Sequence, residues 1–117
     1  MKSKKYTLYH NPRCSKSRKT LNYLNSKGID FETVLYLNDN LSLEKIENII
    51  NKSGLNPSDL IRTKENIWKE LFKNKKLSKI QIIRAIFEHP KLMQRPVFMS
   101  NSRAVIANPS ELALKIL

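Results

Sequence analysis

One cysteine stands in the chain, Cys14, inside the segment His10-Asn11-Pro12-Arg13-Cys14-Ser15-Lys16-Ser17-Arg18. A thiol attacks as its thiolate, so the question is what holds the proton off. A helix starting at Ser15 leaves unpaired N–H groups and a positive dipole end beside Cys14. Arg13, Lys16 and Arg18 add cations nearby. A free cysteine of pKa ~8.5 is only about 3% thiolate at pH 7; lowering it by ~2 units makes the thiolate dominant, for ~2.7 kcal/mol. Ser17 takes the second place of a redox C-x-x-C spacing, where a hydroxyl can donate to a thiolate but cannot form a disulfide. His10 is a candidate for tuning the thiol. Any disulfide must therefore take its second sulfur from another molecule. One Cys with two His (His10, His89) falls short of a structural zinc set, and no metal is expected.

The other chemistry-bearing residues are the arginines. Lys and Arg number 22 against 10 Asp and Glu, a net charge of +12. Most of the cations are Lys, which leaves Arg13, Arg18, Arg62, Arg84, Arg95 and Arg103. Guanidinium binds tetrahedral oxyanions through a two-pronged fork, and ammonium does not. The charge admits anionic partners, but the aromatics fall on strands and helical core faces. No basic-aromatic stacking motif is present, which argues against nucleic acid. Arg84 reads as exposed helix surface, and His89, before Pro90, as a helix C-terminal cap.

The elements that must position these residues follow from the hydrophobic pattern. Tyr6–Tyr9 is a short strand that His10-Asn11-Pro12 breaks. A helix runs from Ser15 to a stop at Gly28. Phe31–Leu37 reads as a second strand and Asn38–Asn40 as a turn. Ser42 caps a helix with Leu43, Ile46, Ile49 and Ile50 on one face, ended by Gly54. Pro57–Ile61 suits a helical turn, and Ile67, Trp68, Leu71 and Phe72 mark another helix. Ser78–His89 is a further helix, with Ile80, Ile83, Ile86 and Phe87 inward. Pro96–Met99 and Ala104–Ala107 form a hairpin around Ser100–Arg103. Asn108 caps a last helix with Pro109 at its first position; Leu112, Ala113, Ile116 and Leu117 face inward.

A β-α-β unit wants parallel strands and a hairpin wants antiparallel ones. The expectation is one α/β domain over residues 1–117: a thioredoxin-like mixed four-stranded sheet with helices on its faces and a helical insertion at approximately 41–90. Its 117 residues, 40% hydrophobic and 27% charged, with two Gly and five Pro, are ordinary for a single globular domain. No apolar run approaches a membrane span, and no apolar stretch follows the basic N-terminus as in a signal peptide. A cytoplasmic protein without membrane partners is expected.

His10–Arg18 closely resembles the active-site loop of the glutaredoxin-dependent arsenate reductase family. The resemblance continues through Val34–Leu37, Leu60-Ile61-Arg62-Thr63-Lys64, Glu88–Pro96 and Pro109-Ser110-Glu111. It implies a thioredoxin-like fold and reduction of arsenate, or a similar oxyanion, to arsenite. It makes Cys14 the nucleophile and Arg62 and Arg95 the residues that hold the oxyanion and lower the thiol pKa. His10 and Ser17 match positions that support the cysteine, and Arg18 lies in the same loop. Pro96 matches a proline that is often cis in such folds. No bound cofactor is implied. Glutathione is the co-substrate that supplies the second sulfur, and glutaredoxin clears the mixed species.

One position departs from the pattern. Many members carry a third arginine directly before the last helix's proline, where this chain has Asn108. Arg103, on the same hairpin, is the candidate substitute. The chain also resembles the Spx-type regulators, which bind RNA polymerase. The Cys14-x-x-Ser17 spacing and the Asn11-Pro12-Arg13 lead-in favour the enzyme over that alternative.

Overall fold

A computed structural model describes residues 5–38 and 41–117. Lys2, Lys4 and the end of the expected Asn38–Asn40 turn lie outside the described residues. The chain divides into two compact units, residues 1–39 with 95–117, and residues 40–94.

The first unit carries the sheet. Its elements are β1 (Tyr6–Tyr9), α1 (Ser15–Ser26), β2 (Phe31–Val34), β3 (Val97–Met99), β4 (Ala104–Ile106) and a 3-10 helix, Ser110–Ile116. The strand order is β2-β1-β3-β4. β1 pairs β2 in parallel, with Tyr6 opposite Phe31, because α1 carries the chain back across the sheet. β3 runs antiparallel to β1, with Val97 opposite Tyr9, and the hairpin adds β4 antiparallel to β3. This is the expected α/β, thioredoxin-like sheet. Its core gathers Leu8, Leu24, Phe98, Ala107 and Ala113, all fully buried. Phe98 anchors it, stacked on Tyr6 at 5.3 Å and meeting Phe31 edge-on at 6.3 Å. Burying such a side chain contributes roughly 1.5–3 kcal/mol. Gly28, at φ +68, makes the left-handed turn that releases α1 into β2.

The second unit is helical: α2 (Leu43–Ser53), a 3-10 turn Pro57–Leu60, α3 (Asn66–Leu71), α4 (Lys79–Glu88) and a 3-10 turn Pro90–Leu92. Ser42 Oγ accepts the Lys45 N–H at 3.1 Å, and Gly54 closes α2 at φ +69. Ser78 and Gln81 form a capping box that starts α4. His89 is the C-cap of α4, its N–H bonded to Ala85 O at 2.9 Å, and Arg84 is exposed, both as expected. Ile61 and Met93 form an isolated antiparallel bridge.

Three expectations are corrected. β2 stops at Val34 rather than Leu37, because the His10 N–H to Val34 O bond is the last rung and β1 offers nothing beyond it. On α4 the buried arc is Ile82, Ile83, Ala85 and Ile86; Ile80 (69% exposed) and Phe87 (41%) lie with Arg84 on the opposite side. The last helix is a 3-10 helix whose N-cap is Pro109, and Asn108 does not cap it. The exposed Asn108 sends its N–H back to Ile106 O at 3.0 Å, and the Asn108–Pro109 peptide that follows is cis. Ala113 and Ile116 are buried there as expected, whereas Leu117 is exposed.

Candidate active site

The site is built where β1 ends and α1 begins. His10 continues β1 by its bond to Val34 O. Asn11, almost fully buried, then ties the loop on three sides. Its carbonyl accepts the Cys14 N–H at 3.0 Å, its side-chain Oδ1 accepts the Arg13 N–H at 3.0 Å, and its own N–H donates to Ser17 Oγ at 3.0 Å. Cys14 falls at the N-cap of α1, in extended conformation, and its carbonyl accepts the Arg18 N–H. The amides of the loop are thus consumed within it, while those of the first helical turn stay open beside the sulfur.

Cys14 is partly exposed. Burial pushes its pKa up, but the Ser17 N–H, the Arg95 guanidinium and the Lys16 N–H outweigh this, and the thiol lies below its ordinary value. The sulfur closes no side-chain cap bond of regular geometry, so the first-turn amides act on it as converging dipoles. Sequence reasoning credited the neighbouring cations Arg13, Lys16 and Arg18. All three side chains are exposed, and the principal contributors are backbone amides and a residue 81 positions away. Arg95 reaches the loop because the β1–β3 register sets Val97 opposite Tyr9, with the cis Arg95–Pro96 peptide just before it.

His10 and Ser17 are buried together, with His10 Nδ1 2.7 Å from Ser17 Oγ. Burial, and then the Arg18 charge, lower the His10 pKa and favour the neutral imidazole. The Ser17 hydroxyl is engaged by His10 and Asn11; it is the backbone N–H of Ser17 that serves the thiolate. Arg18 bonds Pro12 O at 2.8 Å and straps the loop.

The structure therefore brings Cys14, His10, Ser17, Arg18, Arg95 and Pro96 to one end of the sheet. Arg103 is placed elsewhere in its hydrogen bonding: its Nη1 donates to Lys115 O at 3.0 Å, at the end of the last helix. Arg62 belongs to the second unit, its N–H bonded to Leu92 O at 2.7 Å and its guanidinium paired with Glu65 at 3.3 Å. Sequence reasoning missed Asn11 and Thr20. Thr20 Oγ1 donates to Ala107 O at 2.8 Å and meets Ser110 Oγ at 2.9 Å, pinning α1 to the chain's last turn. No local spacing signals that bond. Among the described residues no three His, Cys, Asp or Glu cluster as metal ligands would, and no helix is long and apolar enough to cross a membrane.

Residues 9–116 match the ArsC family. The chain is 40% identical to an arsenate reductase of Neisseria meningitidis, over 89% of this chain and 91% of that protein. It is 40% identical to YfgD of Escherichia coli, described as uncharacterized, over 97% and 98% of the two chains. The solved arsenate reductase from Vibrio cholerae superposes with a TM-score of 0.91 at 37% identity, covering 99% of this chain and 100% of that one. Fold, loop and whole-length similarity agree: the chain belongs to the ArsC family.

Proposed function

We propose that this protein reduces arsenate to arsenite, with Cys14 as nucleophile and glutathione and glutaredoxin as the reducing partners. The observation that carries this reading is a lone thiol, lowered in pKa, at an open helix N-terminus beside Arg95. The relatives at this identity whose names state an activity are arsenate reductases, and no observation favours the RNA polymerase-binding alternative.

The Cys14 thiolate attacks arsenic(V), an As–S bond forms, and one oxygen leaves as water after protonation. Arg95 neutralises charge on the anion as it meets the thiolate, and the amides of Lys16 and Ser17 stabilise the sulfur before attack. Arsenic must then gain two electrons, and two thiols supply them by becoming a disulfide. Cys14 is the only cysteine in the chain, so the second sulfur is that of glutathione. Glutaredoxin reduces the resulting mixed species and arsenite leaves. His10 and Ser17 fix the loop under the nucleophile, and no bound cofactor takes part. The same thiol chemistry requires a reducing compartment, in keeping with a cytoplasmic location.

The test is an NADPH-coupled assay containing arsenate, glutathione, glutathione reductase and glutaredoxin, with each component left out in turn. Turnover should need all of them and vanish in Cys14→Ser. Full turnover by Cys14→Ser, or none in the complete system, overturns the reading.

A further inference from the structure

Asn11 is a polar residue only 7% exposed, and its bonds within the loop are of two kinds. Two belong to the main chain: its carbonyl accepts the Cys14 N–H at 3.0 Å, and its N–H donates to Ser17 Oγ at 3.0 Å. Any residue but proline could make both. The third belongs to the side chain. Oδ1 accepts the Arg13 N–H at 3.0 Å and closes an Asx turn over Pro12, which has no N–H of its own to offer. Together the bonds grip the chain on both sides of the sulfur, at Arg13 and Cys14 and again at Ser17. The Ser17 N–H, with that of Lys16, serves the Cys14 sulfur. The amides up to Cys14 are therefore used by Asn11, and those of the following turn are left to the thiolate.

Resting on the assignment of Cys14 as the nucleophile, we infer that Asn11 is a positioning residue for it, and that its side chain has to be an acceptor without charge. Asparagine and aspartate are both natural residues for an Asx turn, since either oxygen can take the N–H two positions on. On folding grounds the two are interchangeable here. On electrostatic grounds they are not. A buried carboxylate three residues before Cys14 would stand against the thiolate, and then against the oxyanion that the thiolate attacks. Like charges held away from bulk water repel strongly and push the thiol back toward its protonated form. The amide of Asn11 supplies the geometry of the turn and leaves the field of Arg95 and the first-turn amides undiminished. A residue with no acceptor at all frees the Arg13 N–H, so that the bend holding Cys14 at the N-cap loses its side-chain tie.

The test titrates the Cys14 thiol of the full-length protein by thiolate absorbance and reads it beside thermal melting at neutral pH, in wild type, Asn11→Asp, Asn11→Ser and Asn11→Ala. Asn11→Asp should melt close to wild type and yet raise the thiol midpoint by about one unit or more. Asn11→Ser, whose hydroxyl closes the same turn more weakly and adds no charge, should keep a midpoint near wild type. Asn11→Ala should melt lowest and raise the midpoint by about half a unit, through the loosened turn alone. A purely structural role predicts the opposite ranking for aspartate, with midpoints that follow the melting temperatures. That ranking, or a wild-type midpoint in Asn11→Asp, overturns the inference. Should Asn11→Asp fail to fold, Asn11→Ala decides, and an unmoved midpoint there overturns the inference. The titration needs no substrate, so a failure of the wild type to turn over arsenate counts against the proposed activity and not against the role of Asn11.

Discussion

His10 Nδ1 and Ser17 Oγ lie 2.7 Å apart inside the protein, and the Asn11 N–H completes the cluster at 3.0 Å. A protonated imidazole would have to be accommodated there with Arg18 acting against it. The folded state therefore binds that proton less readily than the unfolded chain, whose histidine titrates near ~6.5. By linkage, the stability this neutral His10 contributes is complete above about pH 6.5 and is lost as pH falls below it. Thermal melting at about pH 7.5 and about pH 5.5 should show a drop in the wild type that is smaller in His10→Gln. Parallel pH dependence in the two proteins would show that His10 does not titrate on unfolding.

Thiolate absorbance near ~240 nm, followed against pH, should give Cys14 a midpoint below the ~8.5 of a free cysteine. Arg95→Ala should move that midpoint up, because it removes both a donor and a positive charge from the sulfur. Arg95→Lys keeps the charge but loses the fork, and it should cost roughly 10- to 1000-fold in kcat/KM, or ~1.4–4 kcal/mol. Near-normal turnover in Arg95→Lys would remove the guanidinium fork from the mechanism.

The absence of a second cysteine predicts how the oxidised protein looks. Intact-mass measurement should find a glutathione adduct on Cys14 or a Cys14–Cys14 dimer, since no internal bridge is available. Thioredoxin without glutathione should support little turnover. Robust thioredoxin-only turnover would contradict the division of labour between protein and glutathione.

Asn108 offers a gain-of-function test. It is exposed and caps nothing, so Asn108→Arg should change stability by no more than about 0.5 kcal/mol. If the arginine that the family resemblance implies at this place adds a cation to the oxyanion, kcat/KM for arsenate should rise ~3- to 30-fold, or ~0.7–2 kcal/mol. Arg103→Ala should lower thermal stability by freeing Lys115 O, while leaving arsenate turnover close to normal. Loss of turnover in Arg103→Ala without loss of stability would return Arg103 to the anion site.

How much of this was legible in advance follows the range of each interaction. The caps at Ser42 and Ser78, the stop at Gly28 and the strand–loop–helix around Cys14 depend on residues a few positions apart, and the sequence displays them. The source of the low thiol pKa was misplaced. Sequence adjacency points to Arg13 and Arg18, while the fold exposes both and delivers Arg95 through strand pairing. Asn108 failed for a related reason. Its identity fits an N-cap, but the turn out of β4 commits its backbone before a helix can begin. Ile80 and Phe87 show the limit of periodicity, since α4 carries apolar residues around more of its circumference than the neighbouring elements cover.

The bond from Thr20 to Ala107 spans 87 positions, and β1 finds its antiparallel neighbour only when Val97–Met99 has been made. During synthesis, then, Cys14 leaves the ribosome 81 residues ahead of Arg95, on a strand and helix that still lack β3 and the Ala107 carbonyl. Until Arg95 arrives, its thiol has lost one of the groups that lower its pKa, and α1 has no C-terminal turn to rest on. The nascent chain thus carries a comparatively quiet cysteine. Its activation is complete only once β3 pairs with β1 and brings Arg95 beside the sulfur.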